Sequence, residues 1–168
     1  MRITLALLVL IPSSKAKEVG PAITEVSRSY KIDPLLVAAV IEIESSFRRS
    51  TCYRGAHGLM QIQLKNRSCG KQAMLRAKYL GLYNDRQNIA AGIRRLLMWR
   101  NWCRRRNHKG HHWLLHYNQG YGMCPRGMKK CHKNQRIPIT SGWIGGYADR
   151  VLRVYRRLRA RHGRISTS

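Results

Sequence analysis

Carboxylates are scarce in this chain, and Glu44 is the one whose position is hardest to explain as structure. The segment from Asp33 to Phe47 reads Asp-Pro-Leu-Leu-Val-Ala-Ala-Val-Ile-Glu-Ile-Glu-Ser-Ser-Phe. Leu36, Val40, Ile43 and Phe47 recur at helical spacing, so the spacing predicts one apolar face. Glu44 falls on that face, one position after Ile43 and four after Val40. A carboxylate there is costly unless paired or protonated. Burial raises its pKa toward the range where it can protonate a leaving oxygen near neutral pH. The competing reading is a structural glutamate paired with an arginine such as Arg48, four residues on. Glu42 lies on another face, nearer Leu35, Ala38 and Ala39, and reads as a surface or ion-paired residue.

Lys and Arg number 33 against 7 Asp and Glu, for a formal net charge of +26. After Glu44 the only carboxylates are Asp85 and Asp149. Asp85 reads as a helix cap, and Asp149 as an ion-pair partner in an Arg-rich helix. A second catalytic carboxylate, which hydrolytic glycosidases normally use, is therefore not evident. His108, His111, His112, His116, Cys124, Cys131 and His132 invite a zinc site, but their spacings match no standard pattern. A Cys124–Cys131 disulfide, or a bridge from either to Cys103, is the simpler expectation. Cys52 and Cys69 flank His57-Gly-Leu-Met-Gln61 and are candidates for another bridge. With five cysteines, connectivity is not deducible.

The elements that must position these residues are helical. Met1-Arg2, an apolar run from Ile3 to Pro12 and Ser14-Lys15-Ala16 read as a secretory signal peptide over residues 1–16. The run is too short to span a bilayer. Pro21 to Tyr30 is a first helix, with Ala22, Ile23 and Val26 inward. Asp33 as N-cap and Pro34 at the first position open the second. A short helix is expected from Gly58 to Leu64. Another runs from Lys71 to Leu80, stopped by Gly81. A long helix from about Arg86 to Arg105 follows, with Ile89, Ile93, Leu96, Leu97 and Trp99 inward. His111 to Asn118 is short, and Gly120 to Gly142 is a long basic loop. Trp143 to Ala160 forms a last helix, with Gly163 past its end. No strand pattern is convincing, and there is no internal repeat.

Length and composition fit one domain with a proper core: 168 residues, 43% hydrophobic. The charge favours polyanions without naming one. No nucleic-acid recognition motif is present.

Four motifs in order then resemble the soluble lytic transglycosylase (SLT) catalytic domain, a lysozyme-like fold similar to glycoside hydrolase family 23. They are Glu44-Ser-Ser-Phe47 with Gly58-Leu-Met-Gln61, Asp85-Arg-Gln-Asn-Ile-Ala-Ala-Gly92, His116-Tyr-Asn-Gln-Gly120 and Gly146-Tyr-Ala-Asp-Arg-Val151. Together they cover most of the chain from Ile23 to Leu158. The resemblance implies a mostly α, single-domain fold with a central catalytic helix and little or no sheet. The catalytic domain would span residues 17–168. The resemblance implies cleavage of the β-1,4 bond between N-acetylmuramic acid and N-acetylglucosamine, with Glu44 as sole acid and base and 1,6-anhydromuramic acid as product. It gives Tyr117 the part of orienting Glu44. Ser45, Met60, Gln61, Asn118 and Tyr147 would bind the sugar or shape the cleft.

No cofactor or metal is implied. Expected partners are peptidoglycan glycan strands and anionic envelope polymers. An envelope-spanning secretion or conjugation complex, or a phage particle, is a further setting. No specific nucleic acid is expected, and a monomer is. The expected location is the periplasm or envelope after export. The alternatives are a goose-type-like lysozyme hydrolase on the same substrate, or a non-enzymatic cationic protein binding the envelope or nucleic acid. The chain departs from the family pattern in three places. His116 and Gln119 stand where small residues are usual. Gln63-Leu64-Lys65-Asn66 replaces a Pro-containing turn. The Gly120–Gly142 loop carries cysteines and basic residues.

Overall fold

The computed structural model describes residues 14–65, 67–106, 111–119 and 144–166. Its elements in order are α1 (Ser14–Ser29), α2 (Pro34–Ser45), β1 (Cys52–Tyr53), β2 (Ala56–His57), β3 (Ile62–Gln63), α3 (Lys71–Tyr79), α4 (Asp85–Arg105), α5 (His112–Gln119) and α6 (Ile144–Ser166). The fold is mostly helical, as expected, with one small sheet. The chain divides into two compact units. One comprises Met1–Ile93 and Arg153–Ser168, the other Arg94–Leu152.

In the first unit, α1 begins at Ser14, seven residues before the Pro21 start that the sequence suggests. Pro21 lies inside the helix and removes one backbone hydrogen bond. Val19, Ala22, Ile23 and Val26 form one continuous buried stripe across it, and that burial offsets the loss. The helix packs against α2.

The start of α2 is as the sequence predicts. Leu35 N donates to Asp33 Oδ1 at 2.9 Å, and Pro34 occupies the first turn. Asp33 Oδ2 also accepts from the Tyr155 hydroxyl at 2.6 Å. Burial first, and then Asp33, raise the Tyr155 pKa. The single apolar face does not hold. Leu35, Val37 to Ile41 and Ser45 are buried, whereas Leu36 and Ile43 are half-buried, and Phe47 lies beyond the helix end. A helix apolar nearly all round is a core helix, so burial here is not confined to one stripe. Its last turn is the exception, and Glu42, Ile43 and Glu44 are all half-buried there.

Gly58 to Leu64 is not a helix. β1, β2 and β3 form an antiparallel three-stranded sheet with Cys52 opposite His57, Tyr53 opposite Ala56, and Ala56 opposite Gln63. Two-residue strands are too short to show an alternating pattern. The left-handed φ of +77° at Gly58 and +48° at Gln61 breaks any helical run. A Cys52–Cys69 disulfide closes this segment.

α3 ends as the sequence predicts. Gly81 has φ +68°, Leu82 N donates to Ala77 O and Gly81 N to Lys78 O, the Schellman arrangement. α4 also matches, but its cap is Asn84, whose Oδ1 accepts from Gln87 N at 3.1 Å. Asp85 is instead the first helical residue and pairs with Arg49 at 2.8 Å. Ile89, Ile93, Leu96 and Trp99 are buried, and Leu97 is half-buried.

In the second unit, α5 follows the expected bounds within a residue. Leu114, Leu115, Tyr117, Tyr147 and Val151 are buried. α6 enters the first unit at Arg153 and runs on to Ser166, so Gly163 is inside it and does not end it. The Asn107–Gly110 loop, the Gly120–Gly142 loop and the apolar N-terminal run lie outside the described residues. Cys103 is a buried free thiol, so no bridge to it forms. Cys124 and Cys131 lie outside the described residues.

Candidate active site

Glu44 sits one residue before the end of α2. The chain then reverses sharply. Ser46 (φ +49°) and Phe47 (φ +60°) are both left-handed. Such backbone costs about 1–3 kcal/mol per non-glycine residue. It is held here by the burial of Phe47, by Ser46 N donating to Glu42 O, and by Arg48 N donating to Ser45 O. Arg48, one arginine considered as a partner for Glu44, donates its Nε to Ser45 O at 3.1 Å.

The remaining carboxylates can be accounted for one by one. Glu18 and Asp85 share Arg49, at 2.7 and 2.8 Å. Asp85 first, then Glu18, raise the Arg49 pKa. Glu25 pairs with Arg86 at 2.9 Å, and that hydrogen bond lowers the Glu25 pKa. Asp33 caps α2. Glu42 pairs with Arg157 at 2.6 Å, as its surface reading anticipated. Asp149 is exposed and, contrary to expectation, makes no ion pair among the described residues. Five of the seven acidic side chains thus make these ion pairs or the helix cap.

The segment Gly58–Gln61 is pinned from within the same unit by a residue to which the sequence reading gave no role. Asn88, buried on α4, accepts from Met60 N at 2.8 Å and donates to His57 O at 3.0 Å and Leu82 O at 2.8 Å. Gly58 has no Cβ because Asn88 Nδ2 and Leu82 O occupy that space. The sequence signal for it was its place in the Asp85–Gly92 motif, one position before the inward Ile89. His57 is also buried. Its Nδ1 lies 2.8 Å from the Tyr83 hydroxyl and its Nε2 lies 3.6 Å from Cys52 Sγ. Burial lowers the His57 pKa and raises that of Tyr83. Asn88, His57 and the disulfide together fix the loop.

The sequence-selected residues have the following places. Ser45 is buried, and its hydroxyl donates to Ile41 O at 3.2 Å. Met60 is fully buried, and its side chain fills the space a Cβ on Gly92 would need. Both side chains are buried. Gln61 is half-buried, and its Nε2 donates to Gly58 O at 2.8 Å and Thr51 O at 3.2 Å. Its carbonyl oxygen accepts no hydrogen bond among the described residues.

Tyr117, Asn118 and Tyr147 belong to the second unit. Tyr117 is buried with the Arg95 guanidinium 5.7 Å from its ring centre, Asn118 is exposed, and Tyr147 is buried. His116, one of the departures noted above, is buried in aromatic packing. It stacks on Trp99 at 4.9 Å and 17°, and meets Trp102 edge-on at 4.9 Å. The sequence could not distinguish that from a residue narrowing a cleft. Among the described residues no group of three His, Cys, Asp or Glu is placed to hold a metal ion. Among them, too, no helix is long and apolar enough to cross a membrane.

The first unit thus holds a half-buried glutamate at the end of a core helix and a braced Gly-Leu-Met-Gln loop. The chain is 34% identical over 85 residues to membrane-bound lytic murein transglycosylase C of Glaesserella parasuis serovar 5 (strain SH0165). It is 32% identical over 85 residues to the protein of that name from Actinobacillus pleuropneumoniae serotype 5b (strain L20). Each match covers 46% of this chain and 23% of the relative, so the chain spans under a quarter of the length of those relatives. No solved structure matches it. The family model of the transglycosylase SLT domain matches residues 21–138, most of the chain, and the chain belongs to that family.

Proposed function

We propose that this chain is a peptidoglycan lytic transglycosylase whose single acid and base is Glu44. The observation that carries the reading is the place of Glu44, half-buried at the end of a core helix in a chain that the SLT family model matches over residues 21–138. Five of the other six carboxylates are engaged in ion pairs or a cap, and the sixth is an exposed helix residue. A half-buried carboxyl at such a place can hold a proton for a leaving oxygen. Glu44 first protonates the glycosidic oxygen between N-acetylmuramic acid and N-acetylglucosamine. The resulting carboxylate then takes the proton of the muramic acid C6 hydroxyl, whose oxygen attacks C1 of the same sugar. The product is a 1,6-anhydro ring, no water is consumed, and Glu44 ends protonated as it began.

Tyr117 orients Glu44 in this reading, because a phenol can donate to a carboxylate. Asn118 and Gln61 supply donors and acceptors for acetamido and hydroxyl groups. Resemblance to the family gives Ser45, Met60 and Tyr147 the part of shaping the cleft. Residues 1–16 serve as an export signal and residues 17–168 as the catalytic domain, which would act in the periplasm or envelope.

The test is product analysis by mass spectrometry on purified peptidoglycan. The parent chain releases anhydromuropeptides. Glu44→Gln releases none while keeping its circular dichroism and melting temperature. Glu42→Gln, which loses only the Arg157 ion pair, retains activity. Reducing-end muramic acid in place of the anhydro product would make the protein a lysozyme-type hydrolase. Full activity of Glu44→Gln would remove the proposal altogether.

A further inference from the structure

α3 is built inside out. Its buried residues are Ala73 and Ala77 alone. The large side chains of the helix and its cap point to solvent: Met74 is 41% exposed, Leu75 53%, Tyr79 91% and Leu80 48%. An ordinary surface helix buries its large apolar residues and exposes polar ones. Six large hydrophobic side chains are exposed among the described residues, and four of them fall in this one ten-residue stretch. Clustered exposure of this kind marks an interaction surface, whereas single exposed apolar residues need no explanation.

The charge around it is one-sided. Lys71, Gln72, Arg76 and Lys78 are the polar residues of the helix and all are exposed. Leu75 and Tyr79 share a face at i and i+4, with Lys71 and Lys78 beside them. The forty residues from Ser45 to Asn84 carry eight Lys and Arg and no Asp or Glu. Tyr53, also exposed, lies in the same acid-free run with the Arg54 guanidinium 5.3 Å from its ring centre. The base is stiff. The helix starts two residues after Cys69 of the disulfide and ends in the hydrogen-bonded turn at Gly81.

We propose that α3 is a docking face for the surface of a lipid bilayer bearing anionic headgroups. Lys71, Arg76 and Lys78 meet the headgroup charge, which favours each basic residue near the surface. Their methylene stems lie along the apolar side chains while the charged ends stay in water. The Tyr79 ring, apolar in body and polar at its tip, suits the interfacial layer. Met74, Leu75 and Leu80 reach the acyl boundary, as in helices that lie in the plane of a membrane. A glycan surface would use the tyrosine and the charges but would give little to three aliphatic side chains. The surface does not involve Glu44, and the proposal does not depend on the reaction assigned to it.

The test is co-sedimentation of the purified chain with vesicles of mixed phosphatidylglycerol and phosphatidylcholine, and of phosphatidylcholine alone. Leu75→Gln with Tyr79→Gln leaves the charge untouched and is compared with Arg76→Gln with Lys78→Gln. Each double variant should bind the anionic vesicles on the order of tenfold more weakly than the parent at fixed salt. Both should cleave soluble wall fragments at the parental rate. All chains share one N-terminus, so the contribution of the run Ile3 to Pro12 cancels. In the parent, amide hydrogen exchange over residues 71–80 should slow when anionic vesicles are added, a reading that needs no variant. Parental binding by the Leu75/Tyr79 pair would overturn the proposal, leaving overall charge as the cause. So would unchanged exchange over residues 71–80, or an apolar-dependent affinity for isolated peptidoglycan but not for vesicles.

Discussion

Asn88→Asp tests whether the Gly58–Gln61 loop is held by one amide. The substitution preserves shape and keeps an acceptor for Met60 N. It removes the donor that bonds His57 O and Leu82 O, at 3.0 and 2.8 Å, and sets a carboxylate oxygen against two carbonyls. Each lost bond to a buried group costs about 1–2 kcal/mol, so the variant should lose about 2–4 kcal/mol at pH 7. For a chain of this size that is a fall in melting temperature of roughly 5–15 °C.

The cost should depend on pH. A buried carboxyl facing carbonyls has its pKa raised, and once protonated it can donate to one of them. The folded variant then binds more protons than the unfolded one between the unfolded aspartate value and the raised folded value. Its stability relative to the parent therefore improves as pH falls through that window. Urea unfolding of both chains at pH 7 and pH 5 measures this, with the parent at each pH removing the contribution of other groups. Anhydromuropeptide release should fall at both pH values. A cost under about 0.5 kcal/mol at pH 7, or one that does not shrink on acidification, would show that the loop is held by something else.

Three further outcomes can be checked on the same material. The Cys52–Cys69 disulfide closes a loop of sequence separation 17, so Cys52→Ala with Cys69→Ala should lose about 3 kcal/mol in denaturant unfolding. A dithiol reductant should bring the parent down to match it. Burial pushes the Cys103 thiol from 9.0 up to about 11. The folded state keeps that proton between pH 9 and 11 while the unfolded state loses it. Stability should thus fall on the order of 2–3 kcal/mol across that window, and thermal melts of Cys103→Ala should lack this component. A Cβ on Gly92 would lie 2.7 Å from Met60 Cβ and Cε and closer still to Sδ. Gly92→Ala should therefore destabilise by about 1–3 kcal/mol, from overpacking, despite alanine's better helix propensity.

The features readable from residue order alone are those that local rules control. Asp33 and Pro34 start α2 because a side-chain acceptor and a fixed φ suit a helix N-terminus, whatever packs around them. Gly81 ends α3 because the turn needs a left-handed residue. The inward residues Ile89, Ile93, Leu96 and Trp99 of α4 follow from a 3.6-residue period. Glu44 was legible because acids are scarce and its neighbours are apolar, and Tyr117 and Asn118 only through resemblance to a family. The tertiary structure decided what no local rule reaches. Burial of Val19 carries α1 through Pro21. The sheet exists because a disulfide and Asn88 hold two-residue strands that have no pattern of their own. His116 became core because Trp99 and Trp102, a dozen residues and more away, supply a stack for it. Which carboxylates enter ion pairs was also a tertiary matter, because Arg49, Arg86 and Arg157 reach 36, 61 and 115 residues along the chain to their partners.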